Sequence, residues 1–478
     1  LKKTPLILVI LFFPLLVYAQ DYVSGKVIRL DNSEPVAFVN IIITELGKGT
    51  VSNIDGEFNF KIPSDAKPEM NVIFSHIGFE STKLKVSDLE NSPLIVKITS
   101  SEYDLDQAIV LDFAPKVLLE RVKDSLNSTQ YGYPYEMEVF YRELIWGNDT
   151  IQGMSRARGY LHSEGYQEKH SSKANVSGRH YNMLSFDQIQ KSDYGIITSK
   201  YGNPRNAINY IFPALIFRMW DFEVGWFDYE LLGGKKIGER DVFVLAIKVK
   251  KSGLKRKSNK HGFSNYGLLE DAIFYIDQDD YGVHLMELNQ HFGGEIQKLK
   301  YHAHITSQEK RNAIVKYQRN ENGDYVFTYA NIINYYTDYG FETEENPKTW
   351  KVKEYAELYA TNYEFVNLEK EQLKKKYKMD VTGEAPNRSF HPHIDTYNGW
   401  IFTHGKPKYQ PNFWANYNFP SFPNEKALER QLSVKRPLGD QFGEFNNNQI
   451  YLLPIFRKRN PSAPNFKRTG LIYPYNPD

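Results

Sequence analysis

A chain of 478 residues is too long for one ordinary core, so two or three domains are expected. Its 59 basic and 58 acidic residues leave a net charge of +1, which excludes bulk electrostatic attraction to nucleic acid. Cysteine is absent, which excludes a disulfide framework, thiolate chemistry and a lipid-bearing cysteine, while 34 Tyr and 30 Phe favour the half-buried surfaces of β-sheets.

The first element is "LKKTPLILVILFFPLLVYAQ". A basic pair, Lys2 and Lys3, precedes an apolar run from Leu6 to Val17 and small Ala19. This pattern predicts a secretory signal peptide, residues 1–19, cleaved before Gln20. The run is short for a membrane span, which needs ~20 residues. Export to the periplasm, the outer membrane or the cell surface is therefore expected, with no transmembrane span after cleavage.

Residues 20–111 read as short strands bounded by Gly, Pro, Asp, Asn and Ser, the pattern of a small antiparallel sandwich. Val39, Ile41 and Ile43 alternate with Asn40, Ile42 and Thr44, so both faces are nearly apolar and the strand belongs in a sheet interior. In "GTVSNIDGEFNFKIP", Asp55-Gly56 predicts a two-residue hairpin loop between adjacent strands.

Gly25-Lys26-Val27, Pro35-Val36 with Val39-Asn40-Ile41, Gly49-Thr50, Asp55-Gly56-Glu57-Phe58 and Ser75-His76-Ile77-Gly78-Phe79 together carry a resemblance. The segment resembles the carboxypeptidase-regulatory-like domain, a transthyretin-like β-sandwich common at the N-termini of exported Gram-negative envelope proteins, outer-membrane receptors among them. In enzymes that module sits beside the catalytic domain. The resemblance implies an accessory fold without catalytic residues of its own.

Next, "PKVLLERVKDSLNS" places Val117, Leu118, Val122 and Leu126 on one helical face, a connecting helix within residues 112–130. Residues 131–378 read as β-rich, interrupted by a helical patch near 204–220. Hairpins turn at Gln278–Gly282 and at Asn322-Gly323, and "WKVKEYAELYATNYEF" is a further alternating run. Consecutive hairpins build an antiparallel meander, either a curved sheet or a half-barrel. The region is similar to uncharacterised regions that follow the same module in other envelope proteins, through its Tyr-Pro-Tyr and Phe-Tyr-Arg-Glu opening and Phe274-Tyr275-Ile276-Asp277. It also bears a distant resemblance to lipoprotein-carrier half-barrels. Residues 379–478 hold 12 of the 23 prolines among many aromatics, which predicts an extended segment packed across the β domain. The fold class is mainly β.

Few residues group as chemistry requires. A zinc carboxypeptidase site would draw on His284 and Glu287 of "HLME" with His391 or His393. His284 and Glu287 are an odd number apart in an alternating strand, so they point to opposite faces. His302 and His304 share a strand face, and His391, His393 and Asp395 sit close in a loop, but neither set alone supplies three or four convergent ligands. "IDQDDYG" lacks the ligand spacing of a calcium loop and reads as an acidic turn. The basic run Lys248–Lys260 holds seven Lys or Arg and no acid, including Lys250, Lys251, Lys255, Arg256 and Lys257. Such a loop is either solvated or in contact with phosphate-rich lipid headgroups. Trp400 and Trp414 are candidate contact residues, or else packing groups of the Pro-rich segment. The expectation is an exported, non-enzymatic envelope protein without cofactor or metal, binding a protein, glycan or lipid partner and no nucleic acid. The alternative is a zinc-dependent carboxypeptidase-like hydrolase.

Overall fold

The computed structural model describes residues 22–100, 111–166, 182–193, 225–250, 268–292, 297–362 and 400–447, apart from isolated or paired positions inside those stretches. The signal segment, the helical patch at 204–220 and most of the last expected strand of the sandwich lie outside the described residues.

Seven short strands come first: β1 (Tyr22–Arg29), β2 (Asn40–Ile43), β3 (Lys48–Val51), β4 (Glu57–Lys61), β5 (Asn71–Ser75), β6 (Thr82–Lys85) and β7 (Leu94–Ile98). They form two layers, ordered β4-β1-β7 and β3-β2-β5-β6. Val27, Ile41, Phe58, Val72 and Phe74 close one apolar core between them. β2 lies between β3 and β5, as its two apolar faces require. β1 and β7 run parallel, a departure from the antiparallel expectation.

The Asp55-Gly56 turn is real, but it does not make a hairpin. β3 and β4 belong to different layers, and residues 52–56 carry the chain from one to the other. The Asn53 side-chain oxygen accepts the amides of Asp55 at 2.9 Å and Glu57 at 2.8 Å. Gly56 has φ +73°, and a Cβ there would stand 2.4 Å from the Val27 carbonyl oxygen. The glycine is needed for a tight crossing between layers.

α1 (Val117–Thr129) buries Leu118, Leu119, Val122 and Leu126. Around it run β8 (Tyr135–Gly147), β9 (Thr150–Ser163), β10 (Asn182–Lys191), β11 (Phe227–Ile237), β12 (Arg240–Val249), β13 (Leu268–Asp277), β14 (Val283–His291), β16 (His304–Arg319), β17 (Tyr325–Thr343) and β18 (Asn346–Asn362), with short β15 (Gln297–Tyr301) paired to β16. Their order is β10-β9-β8-β18-β17-β16-β14-β13-β12-β11. The chain lays β8–β10 out to one edge, restarts at the opposite edge and returns strand by strand until β18 pairs with β8. One apolar cluster joins α1 to Phe186 and Ile189 near one edge and to Phe227 and Phe243 near the other. One face of the sheet therefore carries a single core that includes α1, and the native twist of so wide a sheet curls that face around it.

The outer face is covered twice. From the N-terminal sandwich, Phe38 and Val51 pack beside Phe140, Tyr329 and Tyr359, and Lys48 pairs with Asn362 at the end of β18. From the C-terminal region come β19 (Trp400–Lys408), parallel to β10, and three short helices, α2 (Pro411–Asn416), α3 (Glu425–Leu432) and α4 (Leu438–Asn447). Of the proline-rich segment, the described residues 409–442 pack on the sheet and are partly helical. Pro411 opens α2 and Pro437 directly precedes α4, positions where a missing amide hydrogen costs nothing. Among the described residues no helix is long and apolar enough to cross a membrane.

Candidate functional site

Alternation along the long strands assigns each polar group to a face, and register brings distant ones together. At the β13–β14 turn, His284 Nε2 lies 3.0 Å from Asp277 Oδ2 and 3.3 Å from the Tyr325 hydroxyl. Asp277 is fully buried and accepts two bonds from Arg240, both 2.5 Å. Asp280 accepts from Arg319 at 2.9 Å and from the Tyr325 hydroxyl at 3.0 Å. Burial pushes the Asp277 carboxyl up, but the bonds from His284 and Arg240 outweigh it and hold the group well below the usual carboxylate range. "IDQDDYG" is thus an acidic turn neutralised by two arginines.

Glu287 lies on the other face, accepting from the Tyr275 hydroxyl at 3.1 Å. The two residues have separate partners, although His284 is the extra residue where the β13–β14 ladder is irregular, between the pairs Ile276–Val283 and Tyr275–Leu285. His391, His393 and Asp395 lie outside the described residues, as does His302. No group of three or more metal-ligating His, Asp or Glu side chains occurs among the described residues.

Beyond the apolar half filled by α1, the inner face becomes polar. Lys191, Ser155 and Glu143 are register neighbours on β10, β9 and β8. Glu354, Asn334, Arg311 and Gln290 form the adjacent row on β18, β17, β16 and β14. Asn334 donates to Glu354 at 2.8 Å while its oxygen accepts from Arg311 at 2.7 Å, and the Tyr336 hydroxyl donates to Glu354 at 3.1 Å. Glu143 and Glu354 are each 1% exposed. Burial, then the charge and hydrogen bond of Glu354, push the Glu143 carboxyl well above its ordinary range. Burial lowers the Lys191 ammonium to about 8, against the opposing pull of Glu143. Within the band Arg311 and Glu354 are both held by Asn334, and Tyr336 also holds Glu354, so its polar groups bond one another in a water-poor setting.

The outer face carries a second buried set. Glu357 accepts from Arg142 at 2.9 Å, Tyr359 at 2.7 Å, Tyr329 at 3.1 Å and also from Tyr355. Burial is the main reason all three phenols are pushed well above their ordinary range. Neither polar set was singled out from the sequence. The alternation of Arg142 and Glu143 in "FYREL" was the available signal, since adjacent opposite charges inside a buried strand must each find a partner on their own face.

Of the contact residues expected from the sequence, Lys250 pairs with Asp228 at 3.3 Å. Lys251, Lys255, Arg256 and Lys257 lie outside the described residues, and Trp400 opens β19 with its side chain undescribed. Trp414 is only 6% exposed, packed among Phe413, Tyr417 and Phe419. It sits as a packing group within the C-terminal segment, one of the two readings its sequence context allowed.

Residues 23–110 match the CarboxypepD_reg-like domain family. Over 114 residues the chain is 28% identical to a TonB-dependent receptor of Formosa agariphila, a match covering 23% of this chain and 11% of the receptor. The chain thus spans about a tenth of the length of that curated relative. Solved structures similar over the β-rich part include a DUF1329 family protein from Desulfovibrio piger, 11% identical with a TM-score of 0.23, covering 56% of this chain and 98% of that one. Another is a LolA superfamily protein from Nitrosomonas europaea, 11% identical with a TM-score of 0.19, covering 55% and 99%.

Proposed function

We propose that this chain is an exported, non-enzymatic envelope protein that binds a protein, glycan or lipid partner in the periplasm or at the outer membrane. The observation that carries the reading is the CarboxypepD_reg-like domain at residues 23–110, an accessory module of envelope proteins, with its receptor relative. It is supported by the divergence of His284 and Glu287 onto opposite faces, each committed to partners within the sheet. In this reading the broad curled sheet is the scaffold that carries the partner-binding surface.

Fractionation of a Gram-negative host, with an alkaline carbonate wash, tests the location. A chain beginning at Gln20 in the periplasmic or envelope fraction is expected, and an unprocessed cytoplasmic chain would refute it. Purified protein should fold without zinc. Zinc-dependent peptidase activity lost in His284→Ala would favour the hydrolase instead.

Within this reading the cationic run around Lys250, Lys251, Lys255, Arg256 and Lys257 contacts phosphate-bearing headgroups, each charge contributing about 1 kcal/mol near an anionic surface. Replacing these five residues by Gln should weaken binding to anionic vesicles by more than ~tenfold while leaving neutral vesicles unaffected. Equal binding to both vesicle types would remove this part of the proposal.

A further inference from the structure

Arg142 on β8 and Arg156 on β9 are paired across the outer face and are 1% and 4% exposed. Glu357 takes Arg142 at 2.9 Å, and Gln190 on β10 accepts from Arg156 at 3.0 Å. With two guanidiniums against one carboxylate, the sheet side of this cluster carries a net positive charge. A buried charge left in that condition is costly, so the face demands acids from outside the sheet.

The C-terminal segment supplies them. Glu425 of α3 lies 2.7 Å from Arg156 and 3.9 Å from Arg142, and Glu429 lies 2.5 Å from Arg156. Just before them, the Phe419 ring lies 5.2 Å from the Arg156 guanidinium and the Phe422 ring 5.5 Å from that of Arg142. The contacts therefore follow one linear pattern, Phe-x-x-Phe-x-x-Glu-x-x-x-Glu, with the two acids one helical turn apart.

The two sides of this contact are unequal. On the sheet the arginines are deep, with Glu357, Gln190 and Phe140 around them. The helix that delivers the acids has eight residues and buries none of them. A helix that short does not persist without its contacts. A built site is thus filled by a short helix whose two carboxylates meet the arginines, while Phe419 stacks on Phe140 and Phe422, Leu428 and Leu432 are half-buried against the sheet.

We propose that this face is a recognition site for a partner-protein segment of the same acidic, aromatic chemistry, and that residues 419–429 occupy it in cis as an internal stand-in that the partner segment displaces. The proposal deepens the reading of the chain as a binding protein and rests on it. A second copy's segment, like a partner's, has to compete with the tethered resident one, so self-association is an outcome the test reads.

The test uses the full chain and a fluorescein-labelled peptide of residues 417–434, read by anisotropy. Glu425→Gln/Glu429→Gln in the chain weakens the resident segment, so this variant should bind the peptide at least ~tenfold more tightly than the unmodified chain. Adding Arg156→Met should reverse that gain, and raised salt should weaken binding. Equal affinity for both chains, binding that survives Arg156→Met, or no binding at all would overturn the proposal. Hydrogen exchange on the unmodified chain guards against a folding defect, because excess peptide should strip protection from the α3 amides. Unchanged protection also overturns it. A dimer in light scattering that Arg156→Met dissociates would place a second copy's segment in the site and overturn the partner assignment. Each of these failures leaves the fractionation result untouched, so loss of this site and loss of the envelope reading are distinguishable.

Discussion

Lys316 is 6% exposed, with its ammonium donating to the Phe38 carbonyl oxygen at 2.7 Å and lying near the rings of Phe38 and Tyr329. Burial lowers its pKa to about 7, against the opposing pull of Glu287. Its native pKa is thus below the usual lysine value of 10.5, so between those two pH values the unfolded chain binds more protons than the native one. Stability from this group therefore rises as pH climbs from about 7 and is flat below it. Lys316→Met should flatten that rise, measured by urea unfolding at several pH values, and an unchanged slope would contradict the assignment. Glu143 has the opposite sign. Its raised native pKa favours the fold at low pH, and that contribution is lost as pH rises through the native value. Glu143→Gln should therefore raise the midpoint of thermal unfolding at alkaline pH and change it little under acid conditions. Neither behaviour was legible in the sequence, where both residues look like ordinary members of alternating strands. Their titration depends on what register and docking bury around them.

At the scale of elements, periodicity was a good guide wherever a segment's partner is its chain neighbour. α1 and the β13–β14 and β16–β17 ladders occupy the segments read as helix and hairpins. The β13–β14 turn shows how tightly such an element is specified. A Cβ at Gly282 would lie 2.0 Å from a Tyr325 ring carbon, and that ring is tethered through its hydroxyl to Asp280 and His284. Gly282→Ala should cost roughly 1–3 kcal/mol, as overpacking does, visible as a lower urea midpoint at constant slope. An alanine variant as stable as the parent would mean that the turn relaxes freely. The Asp55-Gly56 turn marks where local reading stops. Its chemistry specifies a sharp reversal, yet whether the next strand pairs in the same layer or crosses to the other depends on the whole sandwich core.

For the whole molecule, one curled sheet is clasped on its outer face by the sandwich and by the C-terminal segment. Removing residues 409–478 would uncover Phe140, Leu144, Tyr355 and the Arg142–Arg156 pair. The truncated chain should melt at lower temperature and bind a hydrophobic dye, as exposed apolar surface does. Unchanged melting would show that the segment adds nothing to the fold. The sequence alone determined the β class, the short strands of the N-terminal region and the local hairpins, because these follow from side-chain period and turn chemistry within a few residues, while the accessory character of the sandwich came from its resemblance to a known module. Only the tertiary structure decided that β8 closes against β18, which places Glu143 beside Glu354 on one face and Arg142 on Glu357 on the other. Those partners lie more than two hundred residues apart, and no local pattern encodes their register. It is set by the demand that strands from both edges share one apolar core around α1.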